Sequence, residues 1–304
     1  MSEQMRGHIV RGSVGAIAAA DVAYLSRSMV IDGALSVRDA EDLVAFNQWV
    51  VPQAPEWSAF FITAIAGHVL GDLAPAGEVD GEKCDWLMET FAPLGRVESP
   101  RAMPLLIRIM EGARTVSRRL PAFALMQLRA AIITGEGSAL GGRAHFSRVV
   151  DEADVALIRR ILIAGGGGEG RSISREEAEA LFGIHDATID AENDPGFAPL
   201  FLRAIAQHAC AASGLVATPR GTALQPPVRR IGPRSVAELD AGEGGELAGL
   251  IAPVRLAAPV AGWLEDRILK NGRLSSAGRV LAETLIGRDA TMGDTLRAML
   301  DRAA

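Results

Sequence analysis

Apolar side chains recur along this chain at helical spacing. Phe61, Ala64, Ile65 and His68 share one face, and Met103, Leu106, Ile107 and Met110 share another. Val155, Ile158, Ile161 and Leu162 do the same, with Arg159 and Arg160 turned away. In "PAFALMQLRAAII" the stripe is Leu125, Leu128 and Ile132, and Pro121 suits a helix start. A period near 3.6 predicts amphipathic helices that are stable only when packed on neighbours. Short turns interrupt the helices: "IDGALS", "LGRVES", "GEGRSIS" and "NGRLSS". Each offers a Gly, then an apolar residue, then a Ser. Gly permits the positive φ that ends a helix. The apolar residue can turn inward, and Ser36, Ser99, Ser174 and Ser275 or Ser276 can cap the next helix. Ser174 with Glu177 forms a capping-box pattern. The predicted class is all-α, in agreement with abundant Ala and Leu and few β-branched runs.

The chain also resembles itself. "ADVAYLSRSMVIDGALSVRDAEDLVAF" from residue 20 lies over "ADVALIRRILIAGGGGEGRSISREEAEALF" from residue 153. "PEWSAFFITAIAGHV" from residue 55 lies over "PGFAPLFLRAIAQHA" from residue 195, which pairs His68 with His208. "WLMETFAPLGRVES" from residue 86 lies over "WLEDRILKNGRLSS" from residue 263, which pairs Trp86 with Trp263 as expected packing anchors. Such self-similarity is the signature of a duplicated module. The expected organisation is an N-terminal arm (1–19), a first helical half (20–135), a linker (136–150) and a second, pseudo-symmetric half (151–304). An insertion over about 213–255 contains "TPRGTALQPPVRRIGPR" and reads as an exposed excursion.

Composition narrows the classes. The 304 residues are 49% hydrophobic and 22% charged, the balance of a folded protein. A net charge of −6 gives no general attraction for nucleic acid. No apolar run approaches the roughly 20 residues of a membrane helix. Arg11 and nearby glycines break up the opening stretch, which therefore reads as an arm and not as a leader. Cys84 and Cys210 are the two cysteines. They form no metal motif and no disulfide framework, so a reducing cytoplasm is the simplest setting.

"AGGGGEGRS" at 164–172 contains G-x-x-x-x-G-R-S, one residue from a phosphate-binding loop. Such a loop must follow a β-strand and lead directly into a helix. Here an amphipathic helix precedes it, and Arg171 holds the lysine position. A dinucleotide fingerprint fails for the same lack of a strand, although Asp190 sits at a suitable distance. The run therefore reads as a lengthened, mobile turn.

The helix–"DG-x-[LIV]-S"–helix unit resembles the EF-hand. With Gly33 at loop position six, Leu35 takes eight, Asp32 five and Asp39 twelve. Ser28 and Val30 stand at positions one and three. Gly95 and Val97 fit in the second unit, but Arg101 stands at twelve; Gly272 and Leu274 fit in the fourth, but Gly278 does. In the third, Glu177 is the acid. The ligand sets are too poor for tight Ca²⁺ binding, so the resemblance implies emptied loops. "IDGALSVRDAEDL" and, more loosely, "EGRSISREEAEAL" also resemble the TerB-like helical family of tellurite-resistance proteins. That resemblance implies a helical domain and, with Asp32, Asp39 and Glu177, a metal-responsive alternative.

Candidate chemistry is sparse. His68 and His208 lie on apolar stripes and read as core histidines; an unrecognised enzyme would use them from an open cleft. Cys84 and Cys210 lack basic sequence neighbours that would activate a thiolate. Arg220, Arg229, Arg230 and Arg234 cluster in the insertion as a solvated strip or a dock for an acidic partner. Without interleaved aromatics, the strip does not read as a nucleic-acid surface. The expectation is a cytoplasmic, non-enzymatic scaffold or adaptor without a cofactor. It binds an unidentified protein partner, and neither nucleic acid nor membrane.

Overall fold

A computed structural model describes residues 17, 19–31, 34–49, 55–135, 148–225, 256–269 and 276–286. Of these, 69% are helical and 4% extended, so the class is all-α. The described residues fall into two compact units. The first takes those up to 131 together with 167–169; the second takes 132–135, those from 148 to 166 and those from 170 onward.

The first unit opens with α1 (Ala19–Met29), a hairpin of β1 (Val30–Ile31) and β2 (Ala34–Leu35), and α2 (Val37–Trp49). The hairpin pairs Val30 with Leu35 and Ile31 with Ala34. Next comes α3 (Pro55–Gly67), which runs into a single π-helical stretch, His68–Asp72. Then follow β3 (Glu78–Val79), α4 (Gly81–Phe91), α5 (Ala102–Gly112), β4 (Thr115–Val116) and α6 (Arg119–Thr134), whose last residues belong to the second unit. β3 and β4 pair in parallel. Helix α3 is the hub: it packs on α1, α2, α5 and β2. Its apolar stripe explains this, since Trp57, Phe61 and Ile65 are fully buried. Phe46 meets the Trp57 ring edge-on at 5.1 Å.

The second unit holds α7 (Glu152–Ala164), α8 (Arg175–Ala187), α9 (Phe197–Ala212), a short α10 (Arg220–Ala223), α11 (Ala258–Leu269) and α12 (Ser276–Ile286). Helix α9 is its hub and packs on each of the others. Leu200, Phe201, Ala204 and Ile205 fill the core there. Capping boxes start two of these helices, Asp151 with Asp154 at α7 and Ser174 with Glu177 at α8. Satisfying two exposed helix-end amides at once is worth about 1 kcal/mol or more per cap. Ser36 also caps as expected, accepting from Asp39 N at 3.1 Å. Ser99 does not cap α5 with its side chain, because the helix begins later, at Ala102.

Three expectations need correction. The glycine run is a turn after α7, but it is no loose excursion. Gly168 N–H donates to the Ala113 carbonyl at 2.9 Å, and Glu169 N–H donates to that of Arg114 at 3.2 Å. The missing side chain at Gly167, where a Cβ would stand 2.8 Å from the Arg114 carbonyl oxygen, is what permits this backbone-on-backbone approach. Second, the insertion is packed at its start: Arg220, Ala223 and Leu224 are buried. Third, Trp86 and Trp263 do not have like surroundings. Trp86 is half-buried and meets Phe91 edge-on at 6.4 Å, whereas Trp263 is buried amid charged partners. Residues 226–255, 271–275, the proposed linker core at 136–147 and most of the arm lie outside the described residues.

Gly167 has φ +61°, and a Cβ there would stand 2.8 Å from the Arg114 carbonyl oxygen. Gly168 would meet only ordinary contacts, from 3.5 Å outward. Gly167→Ala should therefore cost about 1–3 kcal/mol in chemical denaturation. Gly168→Ala should stay within about 1 kcal/mol of wild type.

Candidate functional site

The apolar residue of each described Gly turn, Leu35, Val97 or Ile173, is drawn into the core and takes its peptide groups with it. Buried peptide groups need partners, and in each case a hub or neighbouring helix supplies them. In the first unit, Leu35 N–H donates to Asp72 Oδ2 at 2.9 Å, and the Leu35 carbonyl accepts from His68 Nδ1 at 2.8 Å. In the second, Ile173 N–H donates to Gln207 Oε1 at 2.8 Å, and the Ile173 carbonyl accepts from His208 Nδ1 at 2.8 Å. A carbonyl can only accept, so Nδ1 carries the proton in both rings. The "LGRVES" turn uses Gln127 of α6, which accepts from Val97 N–H at 2.9 Å and donates to the Gly95 carbonyl at 3.0 Å. The π-helical stretch begins at His68 and ends at Asp72, the two residues that hold Leu35.

Lys83 is a buried cation the sequence reading missed. Asp80 caps α4 and accepts from Lys83 N at 2.9 Å, which fixes the first turn. The Lys83 side chain then reaches back beneath the preceding loop. Its ammonium lies within 2.8–2.9 Å of four main-chain carbonyls, those of Val69, Leu73, Pro75 and Glu78. Burial pushes the ammonium below the ordinary lysine range, while Asp80 and Glu78 pull it back up. Cys84, next along α4, is buried; burial raises its thiol, although Ser117 and Arg119 oppose this.

Arg220 and Glu177 form a second buried centre, each with a side chain no more than 2% exposed. Glu177 stands at N3 of α8, where its Oε2 accepts from Ser174 N at 2.8 Å. Arg220 meets both carboxylate oxygens, at 2.8 and 3.0 Å. It also donates to the carbonyls of Leu162, at 2.5 Å, and Ser172, at 2.7 Å. Expecting Arg220 in a solvent-facing strip was therefore wrong: its charge is spent inside the protein. Arg229, Arg230 and Arg234 lie outside the described residues.

The α8–α11 contact carries a third cluster. Trp263 Nε1 donates to Glu179 Oε1 at 2.7 Å, and the Arg175 guanidinium lies 4.2 Å from the Trp263 ring centre. Arg267 pairs with Glu179 and Asp186, at 3.2 and 3.1 Å. Burial would raise the Glu179 carboxyl, yet hydrogen bonds from Trp263 and Arg175 and the Arg267 charge carry it below the ordinary range. His208 meets the Trp263 ring edge-on at 5.1 Å. Burial lowers the His208 imidazole; its hydrogen bond to Ile173 works against that shift.

The remaining predicted residues fall as follows. His68 and His208 are each buried within their own unit. Asp39 accepts from its own cap residue, Ser36 Oγ, at 2.6 Å, and Glu177 is engaged by Arg220 and Ser174. Asp32 lies outside the described residues. Among the described residues, no three His, Cys, Asp or Glu side chains gather as a metal site. Comparison with known proteins gives no match to any family model, any curated protein or any solved structure.

Lys83→Met should leave buried carbonyls without donors and cost at least about 2 kcal/mol in urea unfolding. The loop's amides should then exchange with solvent faster than in wild type. His208 supplies a pH test. Its folded-state value lies below the ordinary value of about 6.5. As the pH falls through 6.5, the unfolded chain takes up a proton that the folded unit resists. Stability is thus full above that pH and declines below it. The melting temperature should fall between about pH 7 and pH 5, and His208→Asn, which keeps an N–H near Nδ1, should shallow that decline.

Proposed function

We propose that this chain is a non-enzymatic helical scaffold or adaptor that binds a protein partner. The observation that carries this reading is how its reactive side chains are used. His68, His208, Lys83 and Arg220 all donate to main-chain carbonyls within their own units. Groups held in this way are structural struts, not a general acid, base or nucleophile poised toward substrate. A cytoplasmic setting is supported by two buried thiols, Cys84 and Cys210. The net charge of −6 favours a protein partner over nucleic acid. Among the described residues, no helix is long and apolar enough to cross a membrane.

A surface for such a partner is available on the first unit. Leu94 is 83% exposed and Met126 50% exposed. They precede Gly95 and Gln127, whose hydrogen bond brings the two chain segments together. Leu94 lies in the turn after α4 and Met126 on α6; exposed large apolar side chains of this kind are what a binding partner covers.

The two units are further proposed to descend from one module. Support comes from the matched hydrogen bonds of His68 to Leu35 and His208 to Ile173, at 2.8 Å each.

Affinity capture from the native cell, followed by mass spectrometry, tests the adaptor reading. Wild type should retain a reproducible protein. Leu94→Asp combined with Met126→Asp should lose it with an unchanged melting temperature. If wild type captures nothing above a control, or the double variant captures as well as wild type, the reading or its surface is wrong.

A further inference from the structure

Four oxygens of the second unit converge on one small volume: the Leu162 carbonyl near the end of α7, the Ser172 carbonyl in the turn, and both carboxylate oxygens of Glu177 on α8. They come from three successive pieces of chain, and one group ties them together. We propose that this recess is a guanidinium-binding site whose resident ligand is the chain's own Arg220.

The match is chemical as well as electrostatic. A guanidinium carries four terminal N–H bonds in a plane. Nη1 serves Leu162 and Glu177 Oε1, and Nη2 serves Ser172 and Glu177 Oε2. All four terminal protons thus find an acceptor, and the carboxylate is gripped by both ends of the fork. Nε is left without an acceptor among the described residues, so the terminal fork alone carries recognition. An ammonium, with three protons and no plane, cannot reproduce that pattern. A hard divalent cation takes six or more oxygens, and the Arg220 guanidinium meets four among the described residues.

The ligand arrives on a separate segment. Arg220 opens α10, after the loop that follows α9, and Arg220 Cδ lies 3.1 Å from where a Cβ on Gly166 would be. The glycine thus makes room for the arginine stem. The segment inserts its side chain much as a peptide would present an arginine. Removal of that side chain should leave a recess that accepts a small guanidinium from solution. It also means the turn between α7 and α8 closes around a tethered organic cation without need of a metal.

The experiment uses the full chain carrying Arg220→Gly. Its melting temperature should fall by several degrees. Millimolar methylguanidinium should restore at least half of the loss and leave wild type unchanged. Ethylammonium, K⁺ and Ca²⁺ at the same concentration should not. Equal rescue by ethylammonium, rescue by Ca²⁺, or no rescue by methylguanidinium overturns the proposal. Should the variant fail to fold, nitrogen-15 spectra of the wild-type protein decide. The Arg220 Nη protons should exchange slowly with water, and exchange of every arginine at the free rate overturns the proposal.

Discussion

A turn that buries its apolar residue also buries that residue's amide and carbonyl, and those groups must be partnered. Leaving one unpaired costs about 1–3 kcal/mol, a large share of a domain's net stability. Each described turn meets this demand with a side chain from a core helix. His68 and Asp72 serve Leu35, Gln127 serves Val97 and Gly95, and Gln207 and His208 serve Ile173. Polar residues on otherwise apolar stripes are therefore fasteners between turn and hub. Hydrophobic burial along α3 and α9 supplies most of the driving force, and these bonds select which turn sits where.

Two buried cations extend the same logic. Lys83 gathers four carbonyls between Val69 and Glu78, and Arg220 gathers a carbonyl of α7, a carbonyl of the following turn and a carboxylate of α8. Taking an ion out of water costs several kcal/mol, offset only when geometry and hydrogen bonding are good. The Lys83 cage offers carbonyl dipoles and the nearby Asp80 and Glu78 charges. The Arg220 centre offers full opposite charge. In both, the cation is covalently part of the chain, so loop closure does not depend on ion concentration in the surroundings. A binding protein gains from such rigidity, because less conformational freedom is lost when a partner docks.

The glycine run shows how a missing side chain positions backbone. Gly166 leaves space for the Arg220 stem, Gly167 adopts a positive φ beside the Arg114 carbonyl, and Gly168 donates to Ala113. One short segment thus meets two separate steric demands and supplies a backbone donor beside them. It does so without the strand context that phosphate binding requires.

Helix positions, the all-α class, the turn at the glycines and the caps at Ser36 and Ser174 were legible in the sequence. They rest on interactions within a few residues, which a periodicity of 3.6 or a spacing of three encodes directly. The burial of His68 and His208 was legible too, from the stripes they share with Phe61 and Ile65 or Phe201 and Ile205. Their acceptors were not, because Leu35 and Ile173 lie more than thirty positions away in the chain. The role of Lys83 was hidden for a related reason: a lysine in the first turn of a helix reads as surface until a loop folds over it. Arg220 looked like one of several solvated arginines in a Pro- and Gly-rich stretch. Only packing of that stretch against α7 and α8 set it opposite Glu177. Local order is written in neighbouring residues, whereas the partner of a buried charge is chosen by whichever distant oxygens the fold brings within reach.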